Sequence, residues 1–406
     1  MFRWTTTRSA RKFFRSRLAL VALFIIGVYF AIGTAVMVLG WTSYKYDPQQ
    51  RVGMQNVPGF FLQESPEKRL EDVEILLDQV ERALKKPNAD EALQDLSMGQ
   101  LQIAAMPHSQ MQEVVDEGWK IYDALVVHED LAEDPDLLAK LDELEGIAGS
   151  LFPPPAGWRK YLRRAEMLLG TDRQGRSIFF RCIYSIKIAL QIGLVTALIS
   201  VVIGAVLGAV AGFFGGWLDH VVTWLYTTFS SIPNIVLLVL IAYVFTGTDF
   251  EDPRAVEVFT WIDEHIPLFP VYIAFCATFW IGTCRVVRGE SLKLKRLEFV
   301  EAATTVGLSR WTILWRHVLP NTTHLMLINF SLLFIGAIKS EVILTFLNLG
   351  VKGEPSWGLM ITHSSSEVVT GFYWQICSAT AFMFVLVLAF NILSDSLQDV
   401  FDPRHN

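Results

Sequence analysis

Cysteine is scarce in this chain: Cys182, Cys276, Cys284 and Cys377 are its four, scattered on or near apolar runs and without metal-ligand spacing. That scatter argues for structural or neutral thiols and licenses no inferred disulfide. Also missing are a His-Glu-x-x-His helix, a nucleophile elbow, a triad arrangement and a phosphate-binding loop with its lysine, so no hydrolytic centre is read here. Two related halves, which a self-sufficient ion-coupled carrier often shows, are lacking too. No acid occurs in the first seventeen residues, whereas the chain as a whole carries a net charge of -7, so no general basic surface suits nucleic acid.

Apolar residues, by contrast, are plentiful at 52%, with 28 Phe and 12 Trp, and they gather in long runs. Leu18–Gly40, Lys187–Ala211, His220–Phe245, Leu268–Val287, Leu325–Leu347 and Phe372–Leu393 can each cross about 30 Å of hydrocarbon at about 1.5 Å per residue. The expected fold is therefore all-α and polytopic, with six transmembrane helices. Arg3, Arg8, Arg11, Lys12, Arg15 and Arg17 place the N-terminus in the cytoplasm. Six spans return the C-terminus to that side, put the basic segment 285–321 there as well, and leave the acidic stretches 41–181 and 246–267 outside. Cys182 and Cys377 then fall near the outer face. A cleaved signal peptide is the alternative for the first run, but the run exceeds a typical h-region and no small-residue cleavage site follows it.

Charge divides the chain further. Residues 1–17 form a basic cytoplasmic terminus, 18–40 the first span, 41–167 an acidic insertion, and 168–406 the remaining membrane part. Within the insertion, Leu70, Val73, Leu76, Leu77, Val80 and Leu84 recur at three and four, the period of an amphipathic helix. Further helices are expected over Met111–Leu125 and Pro135–Ile147, separated by Pro87-Asn88, Pro107 and Pro153-Pro154-Pro155. This small helical subdomain either packs over the outer side, the reading we favour, or contacts a soluble partner.

The most informative segment is Glu301-Ala302-Ala303-Thr304-Thr305-Val306-Gly307 with its continuation to His317-Val318-Leu319-Pro320-Asn321. Two short helix-forming stretches flank Gly307, which can adopt positive φ. Ser309 suits the N-cap of the second stretch, and Pro320 is expected to stop it two residues after Val318. The product is a helix-turn-helix knob bearing Arg310 and Arg316, suited to docking rather than to chemistry. This Glu-Ala-Ala, Gly, Leu-Pro spacing resembles the EAA loop of bacterial ABC importer permeases. The resemblance implies coupling to ATPases through Glu301, Ala302, Ala303, Gly307, Arg310, His317, Leu319 and Pro320.

Gly170-Thr171-Asp172-Arg173-Gln174-Gly175-Arg176-Ser177 nearly spells a P-loop, but Arg176 stands where lysine is required, no β-type run precedes it, and the topology puts it outside. It is more similar to the Gly-Thr-Asp-x-x-Gly-Arg-Asp element before the second span in the oligopeptide, dipeptide and nickel class of these permeases. Gly170, Thr171, Asp172, Gly175 and Arg176 match, and Ser177 departs from Asp. The likeness continues in the small-residue series Gly204, Gly208, Gly212, Gly215 and Gly216 with Asp219, in Pro233, which should kink the third span, and in Phe346-Leu347-Asn348-Leu349-Gly350, with Asn348 where Gly is usual. Pro355 to Met360, Asn391 to Leu397 and Asp402-Pro403 extend it, so that it covers the first span and everything after about Leu168 but not the insertion.

Lys339 and Glu341 lie inside the fifth span, two residues apart and so on different faces, and they either line or gate a pathway or serve as structural charges. The resemblance implies a multi-pass permease subunit of the bacterial inner membrane. Its implied partners are a second homologous permease in a heterodimer, two ATP-binding cassette ATPases, an extracytoplasmic solute-binding protein and membrane lipid. No cofactor or metal is expected on this chain, ATP and Mg being held by the ATPases. Peptide is the implied cargo, with nickel or another small solute as the alternative and an ATP-independent secondary transporter as the more distant one.

Overall fold

The computed structural model describes residues 16–38, 51–59, 64–128, 131–132, 134–245, 268–351 and 353–401. The N-terminal arginines up to Arg15, the segment Thr246–Pro267 and Asp402-Pro403 lie outside these residues. Helices and turns account for the described fold, with only isolated β-bridges and no strand among the described residues. The chain divides into two compact units. One comprises Met1–Leu39, Ser185–Thr362 and Thr380–Asn406, and the other Gly40–Tyr184 and His363–Ala379.

In the second unit the insertion forms helices α1–α5: α1 (Pro66–Leu84), α2 (Ala89–Gln94), α3 (His108–Leu125), α4 (Pro135–Leu151) and α5 (Arg159–Glu166). Local chemistry sets their starts. Ser65 accepts from the Lys68 amide ahead of Pro66, and Asp134 accepts from the Asp136 amide ahead of Pro135, so each helix begins with a capping oxygen and a proline in its first turn. The apolar stripes of α1, α3 and α4 then close on one another through Leu70, Leu77, Met111, Val115, Leu141 and Leu144. Gly118 on α3 lets Leu77 approach, since a Cβ there would stand 3.0 Å from both Leu77 methyls. Burying each such leucine contributes about 1.5–3 kcal/mol, which is how this short segment acquires its own core. The helix expected over Pro135–Ile147 runs four residues further than its sequence period suggests, to Leu151, because Ala148 and Leu151 join that core.

The other unit holds the long apolar helices and a bent pair of shorter ones. These are α6 (Arg17–Val38), most of α7 (Ile178–Phe214), α8 (Gly216–Ser230), α9 (Asn234–Phe245), α10 (Phe269–Leu294), α11 (Thr323–Phe346), and α12 (Trp374–Phe401) from Thr380 onward. Five of these helices are long and apolar enough to cross a membrane, and α8 with α9 makes a sixth if that bent pair is one span. The bend is 90°, and it falls at Ser231-Ile232-Pro233. Pro233 has no N–H to continue the ladder and its ring displaces the carbonyl one turn earlier, which is why the expected kink becomes a corner.

α7 and α10 are locked along a glycine ladder. A Cβ at Gly204, Gly208 or Gly212 would stand 2.5 Å, 2.4 Å or 2.6 Å from the carbonyl oxygens of Trp280, Cys284 and Arg288. The two backbones therefore touch at every fourth residue, a packing that only missing side chains permit. Beyond the ladder the chain turns at Gly215 and Gly216, and Asp219 on α8 receives Arg288 of α10 in a two-pronged ion pair, with Nη2 to Oδ2 at 2.8 Å.

Candidate functional site

Between α10 and α11 the chain builds the knob. Its first helix is α13 (Glu298–Thr305) and its second begins as α14 (Arg310–Ile313). Gly307 joins them at φ +86°, and the closure is a Schellman motif, with Leu308 N–H bonded to Ala303 O at 3.2 Å and Gly307 N–H to Thr304 O at 3.0 Å. Ser309 caps α14 by accepting from the Thr312 amide at 3.2 Å. Val300, Ala303, Ile313, Leu314 and Val318 face inward onto Ala205, Ala209 and Phe213 of α7 and onto Val287 and Leu294 of α10. The knob is thus mounted on the ends of two packed spans rather than hung from a loose loop.

Pro320 does not stop the second helix. The backbone stays helical through it because Leu314–Val318 widens into a π turn, in which the Leu319 N–H reaches back to Leu314 O. That wider register leaves room for the proline ring and makes no use of the N–H it lacks. A second turn, Leu319–Asn321, then leads into α11.

The named residues separate by face. Glu301, Ala302, Gly307, Arg310 and Pro320 are exposed, His317 and Leu319 half-buried, and Ala303 belongs to the inner core. Glu301 has no hydrogen bond or ion pair from its carboxylate among the described residues, its carbonyl alone accepting from Thr305 Oγ1 at 2.9 Å. Orientation of the knob therefore comes from its apolar base, and the Glu301 charge is turned outward. Sequence reading stressed the basic residues and missed the apolar crest between them: Val306 is 81% exposed, Trp311 55% and Trp315 51%, with Leu308 and Phe299 beside them. Apolar groups spaced along an otherwise polar cytoplasm-type loop were the available signal. An exposed apolar crest rimmed by charge marks a docking surface.

In the other unit, the glycine-rich element is clasped by residues 51–59. Gly170 at φ +80° and Gly175 at φ +72° lie where a Cβ would strike the carbonyls of Val57 and Gly53 at 2.3 Å each. Thr171 Oγ1 donates to Met54 O at 2.6 Å and accepts from the Val57 amide at 2.8 Å. Asp172 accepts from the amides of Gln174 and Arg176 at 2.9 Å each, and its other oxygen takes the guanidinium of Arg176 and that of Arg181. The amides that a P-loop would turn to phosphate are here filled by the loop's own carboxylate. Arg181, which the sequence did not single out, completes the buried charge cluster. Close by, Glu367 accepts from the Arg173 amide at 3.1 Å, and burial raises its carboxyl above the usual range.

Lys339 and Glu341 separate in the same way. Glu341 is buried, holds Thr345 Oγ1 at 2.9 Å, and abuts Gly358 at the start of α15 (Trp357–Val369), where a Cβ would stand 2.9 Å from its Oε1. Lys339 is exposed and makes no ion pair among the described residues. No group of three or more His, Cys, Asp or Glu placed to hold a metal occurs among the described residues.

Spans locked by a glycine ladder, with a rigidly mounted, partner-ready knob between two of them, define a polytopic membrane protein of the transport-subunit class. The family described as binding-protein-dependent transport system inner membrane component matches residues 204–406, which include the ladder, the corner at Pro233 and the knob. The chain is 31% identical over 241 residues to the dipeptide transport system permease protein DppC of Bacillus subtilis, covering 59% of this chain and 69% of that one. It is 32% identical over 237 residues to the glutathione transport system permease protein GsiD of Pectobacterium atrosepticum, with 58% and 72% covered. With GsiD of Escherichia coli O6:K15:H31 it shares 33% over 236 residues, with 58% and 71% covered. The chain belongs to the binding-protein-dependent transport system inner membrane component family. It is a multi-pass inner-membrane permease of the ABC importer type, in the dipeptide and oligopeptide class.

Proposed function

We propose that this chain forms half of a translocation pathway for peptides, pairing with a second, homologous permease and receiving cargo from an extracytoplasmic binding protein. Of two ATPase subunits, which hold ATP and Mg, one docks on this knob and the other on the second permease. Their closure on ATP pushes the crest of Glu301, Val306, Leu308, Trp311 and Trp315, and the inner face passes the motion to α7 and α10. The pair of permeases then alternates between outward and inward access, a two-state element that cargo and ATP both bias. In this arrangement both termini and residues 285–321 are cytoplasmic, and the insertion is external. The chain itself carries out no ATP hydrolysis.

The observation that carries the reading is the knob's two-faced build: an inner face buried against two spans and an outer face of exposed apolar side chains, Val306, Leu308 and Trp315 with Trp311, whose ring also leans on Phe214 of α7 at 4.8 Å. The relatives' names, which speak of dipeptide and glutathione, support peptide over nickel as cargo. The test is reconstitution with the second permease, the ATPases and the binding protein in proteoliposomes. ATP-dependent accumulation of labelled dialanine is the expected result. Accumulation driven by an ion gradient without ATPases would overturn the importer reading, and ATP-dependent uptake of nickel alone would overturn the peptide cargo.

A further inference from the structure

The corner in the third apolar segment borders an open cavity of about 490 Å³, within the range of small-molecule sites. Phe229, Ile232 and Leu237 supply one side, Phe279 of α10 and Leu333 of α11 the other, and among the described residues no Asp, Glu, Lys, Arg or His lines it. Ser230, Asn234, Thr278 and Ser340 give it a few polar atoms.

Two glycines in its wall are informative because neither backbone torsion nor packing asks for them. A Cβ at Gly282 would meet nothing within 4 Å, and one at Gly336 would touch only the Phe279 ring at 3.6 Å, an ordinary contact. Glycine inside a helix costs about 1 kcal/mol relative to alanine. In the ladder of α7 that cost is returned by backbone contact, but at Gly282 and Gly336 no contact among the described residues returns it. Their missing side chains leave this part of the cavity wall open.

The polarity of the adjoining face indicates what could enter it. Lys339 is not itself in the lining, but it follows Gly336 by one helical turn and adjoins Ser340, both of which are, and it is exposed and without an ion pair among the described residues. A cation at bilayer depth faces water or an anion rather than lipid. The exposed charge that adjoins the cavity is therefore positive.

We propose that this notch is a cargo subsite in the pathway, which receives one uncharged side chain up to aromatic size while Lys339 meets a carboxylate of the same cargo. The inference rests on the peptide-importer reading above and adds to it where on this chain the cargo is held and by what groups. Cargo with a free carboxylate and an apolar side chain fits, whereas a bare metal ion meets no ligand set there.

The test uses the full chain in the reconstituted complex, with Ala-Ala, Ala-Phe and Ala-Phe amide as probes. Gly282→Leu fills the notch from a position with open space, so the helix has no steric reason to move. Uptake of Ala-Phe is expected to fall about tenfold or more while that of Ala-Ala stays within about twofold, the discrimination that loss of an apolar pocket produces. Lys339→Gln should reduce uptake of Ala-Phe and leave the slower uptake of its amide unchanged. Equal loss for all probes, or none, would overturn the subsite while leaving the importer intact. Capture of a photoreactive lipid, or of the second permease, by a crosslinker at Gly282→Cys in the cargo-loaded state would likewise overturn it. Failure of the wild-type complex to import any of the probes would instead refute the peptide reading itself, and the subsite with it.

Discussion

Replacing Gly307 by valine tests the one backbone torsion on which the knob depends. At φ +86° the residue lies in the left-handed region, and nothing stands within 4 Å of where its Cβ would be, so the penalty is torsional and not steric. Forcing an L-residue into that region costs about 1–2 kcal/mol, and a β-branched side chain falls at or above the upper end. At about 2 kcal/mol the population of the closed turn drops about 30-fold relative to its alternatives. The two bonds at stake are Leu308 N–H to Ala303 O and Gly307 N–H to Thr304 O, which set the angle between α13 and α14. Asparagine tolerates positive φ better than other side chains, so Gly307→Asn is expected to keep most coupling, Gly307→Ala to lose some of it, and Gly307→Val to lose about tenfold or more of cargo-stimulated ATP hydrolysis and uptake. All three should insert in the membrane normally, because the inner face of the knob is untouched. Reconstituted complexes with both activities measured in parallel provide the assay. Wild-type coupling in Gly307→Val would refute the docking role of the turn. Equal damage by Asn and Val would show that the crest excludes any side chain at this point, and that torsion is not the cause.

Glu301→Ala should abolish coupling without loosening the knob, since the carboxylate has no partner among the described residues; a drop in thermal stability as large as the drop in ATPase activity would contradict that division. Single cysteines at Asp95 and Asp136 should react with an impermeant reagent in sealed cells, and one at Ser309 should not; labelling at Ser309 would reverse the topology. Deletion of the insertion should spare assembly with the ATPases, and the cut belongs at Ser65 to Phe152 because a cut at Glu145 would sever α4 and strand Ala148 and Leu151; loss of ATPase co-purification would contradict the domain boundary. Burial, and then the neighbouring Asp72 carboxylate, push Glu64 up from its ordinary 4.5 to about 7, with Lys68 opposing and Glu145 adding. The fold therefore favours the protonated acid and should lose stability as pH rises from about 4.5 through 7, so Glu64→Gln should slow hydrogen exchange in α1 at pH 8 and match the wild type at pH 4; faster exchange at pH 8 would refute it.

Periodicity made the helices of the insertion readable, because an amphipathic stripe survives as a pattern of letters whatever it packs against. Hydropathy did the same for the spans. What it could not convey is that α7 begins at Ile178, nine residues before its apolar run, since Arg181 is made acceptable there by Asp172 rather than by local composition. The stop expected at Pro320 failed for a related reason: the π turn that accommodates the ring is a register change, and it leaves no compositional mark. Two residues that depart from the family pattern each cap or close a helix here. Ser177, in place of Asp, still accepts from the Phe180 amide, at 3.4 Å, as an N-cap must, and it adds a bond to Glu166 O at 2.7 Å. Asn348, in place of Gly, sits at φ +61° and closes α11 with Leu349 N–H to Leu344 O at 2.8 Å and Asn348 N–H to Thr345 O at 2.9 Å, the same Schellman geometry as at Gly307.

Glycine shows most clearly why the rest stayed hidden. As letters, Gly204, Gly282 and Gly307 are the same residue in similarly apolar or helix-forming surroundings. In space they answer three different demands. Gly204 lets a carbonyl of α10 come within 2.5 Å of where its Cβ would be, so alanine there must force α7 and α10 apart. Gly307 has open space around it and an obligatory torsion, so asparagine can stand in. Gly282 has open space and an ordinary helical torsion, so any small residue would serve the fold, and the absence of a side chain serves only what occupies the notch. Substituting alanine at each therefore sorts the causes: loss of assembly at the first, partial loss of coupling at the second, and at the third a slightly stabler helix whose only expense is in the cargo it accepts.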